Sequence, residues 1–538
     1  MAPLKRAIAD DTGSEALKHL RIDDGQPIKA QAPQQNTDNL HSEPSDSESD
    51  QDMDAADHVA DAYLDTVNRS SLDFDFEQLC SVSLATSNVY ACLVCGKYYQ
   101  GRGKQTHAYF HSINDDHHVF INLTTLAVYV LPENYEVADR SLNDIKDVIR
   151  PLYTTGDIAR LDAETRTLHD LAGSSYVPGF VGLNRIKSNS YMNVILQLVA
   201  HISPIRDSLL LAPNNDRASA LVRKLSALVR QMWHTRRFKA HVSPHECVQE
   251  VVALSKRRFG LDVECDPFEL LVWMLNAVHI GLGGGSKPKS KRGSIVYKTF
   301  RGEMCVTTQA LGDTQVRTSE DAPLQIDMEK STEVATSPFL ALSLELPPKP
   351  LFTSTVSAGN NDEDDEDGRA DIPQVALTTL LERYDGSMAV EVNGLARQYQ
   401  VTQLPPFVIC HVKRFSTRGF LAEKNPTVVN YAVRNVPFGQ LLPEHAHAER
   451  AATYDLVVNV CHVGNHVPKS SAQSSGNSGA PDVPTEDVGS AAESPFVAFV
   501  RHASNKWFKL HDLQVEPIMP QMMFLADSYI QVWQRNDS

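Results

Sequence analysis

Apolar and polar positions divide this chain into unequal stretches. Residues 1–60 are rich in Asp, Ser, Gln and Pro, with "SEPSDSESDQD" as an acidic serine cluster. Such a composition cannot bury enough apolar surface to offset the entropy of ordering, so a disordered tail is expected. Residues 75–150 differ in kind. They combine Cys, His and aromatics with short strand-like apolar runs such as "HHVFINLTTLAVYVL". From about 176 to 537 the pattern is that of one long globular region with three polar interruptions. These are a flexible basic loop at 283–294, an acidic loop at 357–371 and a low-complexity loop at 466–494. Within the globular region Ile195, Leu198, Val199 and Ile202 recur at helical spacing. No internal repeat is visible.

Composition narrows the class. The chain has 538 residues, 42% of them apolar, enough for two to four domains with substantial cores. A net charge of −17 argues against coating nucleic acid through general electrostatics, so no direct sequence-specific nucleic-acid binding is expected. The longest apolar stretch, Leu270–Leu282, contains Asn276 and His279 and is too short to span a bilayer. The opening "MAPLKRAIADD" lacks the apolar core of a secretory signal. Eight cysteines with a single C-x-x-C pair read as reduced thiols plus a metal site, in cytosol or nucleus.

The stretch "YACLVCGKYYQGRGKQTHAYFHSINDDHHVF" holds Cys92, Cys95, His107, His111, His117 and His118. Two thiolates on a C-x-x-C knuckle and two imidazoles make a tetrahedral set suited to Zn²⁺. In so short a module the ion would supply much of the folding free energy. The order Cys-x-x-Cys-Gly, His-x-x-x-His and a further His before an apolar strand resembles the UBP-type zinc finger of ubiquitin-pathway proteins. That resemblance implies Cys92, Cys95, His111 and His117 as ligands, with His107 in reserve. Cys80 alone remains nearby, so one ion is expected. Fingers of this type often bind the C-terminus of ubiquitin, but no specific sign of that pocket is visible here.

The long region resembles the ubiquitin-specific proteases, whose cysteine box reads roughly G-L-x-N-x-G-x-T-C-Y-M-N. Here the frame is Gly182, Leu183, Asn184, Arg185, Ile186, Lys187, Ser188, Asn189, Ser190, Tyr191, Met192, Asn193. The helix N-terminus that would depress a thiol's pKa is present, and the thiol is not. "DPFELLVWMLNAVH", "QLPPFVICHVKRF" and "YDLVVNVCHVGNH" match further landmarks of the family and report fold rather than chemistry. In the histidine box Pro495 falls on the general base, which a proline cannot replace. His511 falls on the orienting Asp or Asn, and Arg185 on the oxyanion donor. The segments "YACLVCGKYYQGRG", "GLNRIKSN", "FKAHVSPHE", "EKNPTVVN" and "LHDLQVEPIMPQM" resemble the triad-less members of the family that work in the spliceosome.

The resemblance implies an α+β chain: a UBP-type finger, then a papain-like scaffold of thumb, palm and fingers. It implies a nuclear, non-catalytic splicing factor that supports the tri-snRNP through contacts with snRNP proteins, with one Zn²⁺ in the finger and no metal in the large domain. A ubiquitin receptor and a cryptic serine hydrolase built on Ser190 are the alternatives.

Overall fold

The computed structural model describes residues 63–536 except Phe76 and the stretches 164–165, 213–217, 285–293, 312–323, 328–329, 349–372, 419–420, 448 and 465–494. The acidic tail and nearly all of the three polar interruptions lie outside the described residues. The chain divides into two units, Met1–Asp57 and His58–Ser538. The second holds the finger and the large domain.

The finger is a five-stranded antiparallel sheet in the spatial order Tyr98–Gln100, Val89–Cys92, Val119–Asn122, Val128–Val130, Tyr135–Val137. Successive side chains of a strand point to opposite faces, and both faces are covered here. Val119, Ile121, Val128 and Val130 enter one core with Leu72 and Leu93, whereas Phe120, Tyr90 and Cys92 meet Ala108 from the helix His107–Asn114. Tyr63, Leu64 and Val67 also pack on the first core, so the finger body begins before residue 75.

The large domain has the expected α+β layout. Its helical thumb contains Ser190–Ala200, Ser203–Leu211, Ala220–Trp233, His245–Leu254 and Pro267–His279. Ala220–Trp233 buries Leu221, Val222, Leu225, Leu228, Val229 and Met232 at helical period, and the Ser219 side chain caps its first turn through Val222 N. Asp266 caps Pro267–His279 in the same way, with proline in the first turn where no donor is needed. The Ser190–Ala200 helix departs from a one-sided stripe. All of its residues are buried, because it lies between neighbouring helices and three strands of the palm. It ends at Ala200, and the chain turns by 86° into the next helix, so Ile202 is not part of it.

The palm is a seven-stranded sheet in the order Leu342–Glu345, Phe407–Lys413, Asp527–Arg535, Tyr454–His462, Phe496–Arg501, Trp507–His511, Gln514–Ile518. Only the first pair is parallel. A four-stranded antiparallel sheet, Glu333–Phe339, Gly302–Ala310, Leu395–Gln403, Asp385–Val392, makes the fingers of the scaffold. Among the described residues no single helix is long and apolar enough to cross a membrane.

Candidate functional site

Two constellations carry the candidate chemistry. In the finger, the ligand atoms of Cys92, Cys95, His111 and His117 all lie within 4.8 Å of one another. Cys95 Sγ is 3.3 Å from His111 Nε2, and His117 Nδ1 is 3.0 Å from the same nitrogen. A zinc tetrahedron with bonds of about 2.0–2.3 Å has ligand–ligand edges of roughly 3.3–3.8 Å, so these residues fit the ion. The knuckle places the thiols. The His107–Asn114 helix places His111 in its last turn, and the loop after it brings His117 back. His107 opens that helix one turn earlier and is outside the cluster. His118 serves elsewhere, with Nδ1 2.7 Å from Leu131 O and Nε2 2.9 Å from Asp116 Oδ1.

The surroundings of the cluster favour a thiolate at Cys95. The Cys95 thiol is drawn down to about 4, first by the hydrogen bond with Cys92 and also by His117 and His111. Cys92 is pushed the opposite way by the same hydrogen bond and by burial. Sequence reasoning missed Asp115. Its Oδ2 lies 2.5 Å from His111 Nδ1, which fixes the tautomer that leaves Nε2 for the ion. Its position four residues after His111, at the end of the same helix, was the available signal. Tyr99 stacks on the other side of the His111 ring at 4.2 Å between centroids.

The second constellation surrounds Ser190, at the start of its helix and fully buried. The Ser190 hydroxyl donates to Asp512 Oδ2 at 2.7 Å, and Asn193 Nδ2 donates to Asp512 Oδ1 at 2.8 Å. The carboxylate beside Ser190 thus belongs to Asp512, whereas the sequence assigned the orienting position to His511. The turn decides this. Asp512 adopts φ +50°, and its carbonyl accepts from Leu183 N at 2.8 Å. Gly182 permits the approach, since a Cβ there would lie 2.7 Å from Leu513 O.

A second carboxylate closes the helix N-terminus. Tyr191 N donates to Glu264 Oε2 at 3.2 Å. Burial raises Glu264 to about 7, against the amides of Tyr191 and Ser190 and the charge of Arg185, which lower it. In an acyl-transfer site such amides face the developing oxyanion; here they face an acid. Arg185, at the predicted oxyanion-donor position, is exposed, and its Nε donates to Lys187 O at 2.9 Å. The loop before Ser190 is fastened to the same segment by Ser188 N to Leu261 O at 3.0 Å and by Tyr191 Oη to Gly260 O at 2.8 Å.

Pro495 is buried just before the strand Phe496–Arg501, with its carbonyl accepting from Val463 N at 2.7 Å. Two described histidines near it in sequence pack against aromatic rings. His462 lies between Phe415 and Phe496, with ring centroids 5.0 and 5.1 Å away. His502 is beyond the far end of the strand, 5.2 Å from the Phe180 ring.

Comparison with known proteins agrees with both regions. Residues 181–533 match the family model described as ubiquitin carboxyl-terminal hydrolase. Residues 80–142 match the one described as a Zn-finger in ubiquitin-hydrolases and other proteins. The chain is 40% identical over 489 residues to the Homo sapiens protein named ubiquitin carboxyl-terminal hydrolase 39, covering 88% of this chain and 80% of that one. It is 39% identical over 481 residues to a Schizosaccharomyces pombe protein named probable mRNA-splicing protein ubp10, covering 88% of each. A crystal structure of an essential yeast splicing factor is 26% identical, with a TM-score of 0.63, and spans 88% of this chain and 100% of that one.

Proposed function

Because this chain belongs to the ubiquitin carboxyl-terminal hydrolase family and carries that family's zinc finger, we propose that it is a non-catalytic splicing factor. In this reading the chain supports assembly or maintenance of the tri-snRNP in the nucleus. One Zn²⁺ held by Cys92, Cys95, His111 and His117 stabilises the finger. The large domain contributes surface rather than chemistry.

The observation that carries the reading is the closure around Ser190. An activated serine needs a base that takes its proton and free donors for the oxyanion. The Ser190 hydroxyl donates a hydrogen bond to Asp512, which also accepts from Asn193, and no imidazole stands in the base position, while Glu264 accepts from an amide of the helix N-terminus. The Ser190 side chain itself is fully buried. Relatives named for splicing span both the finger and the large domain, which supports a role for the whole scaffold. The net charge of −17 suits contacts with basic proteins rather than bare RNA.

Native purification of the tagged chain from nuclear extract tests the assembly role. U4, U5 and U6 RNAs should co-purify together with snRNP proteins. Recovery without them, accompanied by turnover of a fluorogenic ubiquitin substrate that Ser190→Ala abolishes, would replace this reading with a serine deubiquitinase.

A further inference from the structure

A short path of contacts joins the metal cluster to the thumb, and the proposed role leaves it unused. It starts at the knuckle. Gly96 has φ +75°, and a Cβ there would lie 2.2 Å from Ser71 O, so the turn Arg69–Ser71 rests directly on Cys92–Gly96. Asn68 N donates to Leu93 O at 3.0 Å and fixes the same seating. Leu72 then enters the finger core.

The next residues place three acids on one segment of the thumb. The Asp73 carboxylate pairs with Lys239 Nζ, while the Asp73 carbonyl accepts from Tyr98 Oη at 2.7 Å. Asp75 Oδ2 accepts from Ser243 N at 3.3 Å and lies 3.9 Å from Lys239 Nζ. Glu77 Oε1 accepts from Gln249 Nε2 at 2.7 Å and lies 3.0 Å from His245 Nε2. In the opposite direction Phe238 of the thumb packs against the finger core, beside Phe74. Arg237 shapes the receiving segment by donating to the carbonyls of Gln231, Lys239 and His241 at 2.6, 2.9 and 2.6 Å. The receiver is the stretch "RFKAHVSPHE", which neither constellation explained.

We propose that Asp73, Phe74, Asp75 and Glu77 form a metal-dependent strap: the ion in the knuckle holds the strap's origin, and its three acids hold thumb residues 237–249 against the finger. The proposal rests on Cys92, Cys95, His111 and His117 being zinc ligands. A single exposed ion pair would hold such a joint weakly. Three acids converging on one segment, together with a phenylalanine seated in the neighbouring core, constrain it jointly. Without the ion the knuckle loses its fixed shape, the Arg69–Ser71 turn loses its support, and the acids lose their register on Lys239, Ser243 and Gln249.

Hydrogen–deuterium exchange on the full chain tests this, with zinc content measured in parallel by elemental analysis. Chelation that removes the zinc should speed exchange in peptides covering 238–249, including the Ser243 amide, at least tenfold. The palm strand Asp527–Arg535 should keep its protection, and zinc readdition should restore the thumb. Asp75→Asn combined with Glu77→Gln should loosen the same peptides while zinc content stays at one per chain. Measured zinc loss with 238–249 still exchanging at the original rate overturns the strap. So does a double variant that exchanges like wild type. A chain purified without any zinc overturns the ligand assignment itself, and the coupling with it.

Discussion

The finger and the cleft around Ser190 both set polar groups on helix ends and tight turns: thiols and imidazoles in the first, a hydroxyl, an amide and carboxyls in the second. In the finger these groups converge on a common point, with Asp115 behind His111 and Tyr99 stacked over it. In the cleft they satisfy one another instead. Ser190, Asn193 and Asp512 form a closed hydrogen-bonded set, and Glu264 takes an amide at the helix N-terminus. A metal site that supplies folding energy loses everything with one ligand. Catalytic positions impose no such demand on the fold. Once exchanged, they can settle into ordinary buried pairing without unfolding the scaffold.

That contrast can be broken by substitution. The largest effect belongs to the finger. Cys92→Ala or Cys95→Ala should abolish zinc binding and unfold residues 80–142, because structural zinc contributes on the order of 10 kcal/mol in small modules. Elemental analysis and limited proteolysis check this; a folded finger without zinc would remove the asymmetry between the two regions.

Asp512→Ala should come next. It strands the Ser190 hydroxyl in a buried site and leaves the Asn193 amide only its bond to Asn184 O, for a loss of about 1–3 kcal/mol in denaturant unfolding. A neutral result would mean that water replaces the carboxylate at no cost, and that the closed set contributes little.

Glu264 sharpens the comparison through pH. Burial holds it at about 7, above its ordinary 4.5, so the folded chain keeps a proton that the unfolded chain releases. The stability this gives is fully present below pH 4.5 and is lost as pH rises through 7. Glu264→Gln should therefore raise the melting temperature at pH 8 and leave it nearly unchanged at pH 4. An equal shift at both pH values would show that the carboxyl is not the titrating group. The smallest effect is Ser190→Ala, which removes one hydrogen bond, about 1 kcal/mol, and moves no functional readout.

The finger's candidate ligands were legible because they lie within one short window and obey local spacing: two cysteines three positions apart on the knuckle, His111 in the last turn of the helix, then a loop return to His117. The cleft was legible in frame only. His511 and Asp512 are consecutive, and a linear alignment does not tell which of two neighbours faces Ser190. The left-handed turn at Asp512, made possible by Gly182, settles it in three dimensions. Glu264 left no local trace, since its partner Tyr191 is 73 residues away and only the packing of two loops brings them together. The packing of residues before 75 on the finger core was hidden for a related reason. Tyr63, Leu64 and Val67 follow a polar tail and reach the core by tertiary contact, not by any period in the sequence.

The central claim is that this chain works through its scaffold and not through Ser190. Splicing of a reporter pre-mRNA in nuclear extract depleted of the chain, with purified protein added back, tests it most directly. Ser190→Ala should restore splicing as fully as wild type, and Cys92→Ala should not. A folded Ser190→Ala variant that fails where wild type succeeds would contradict the account.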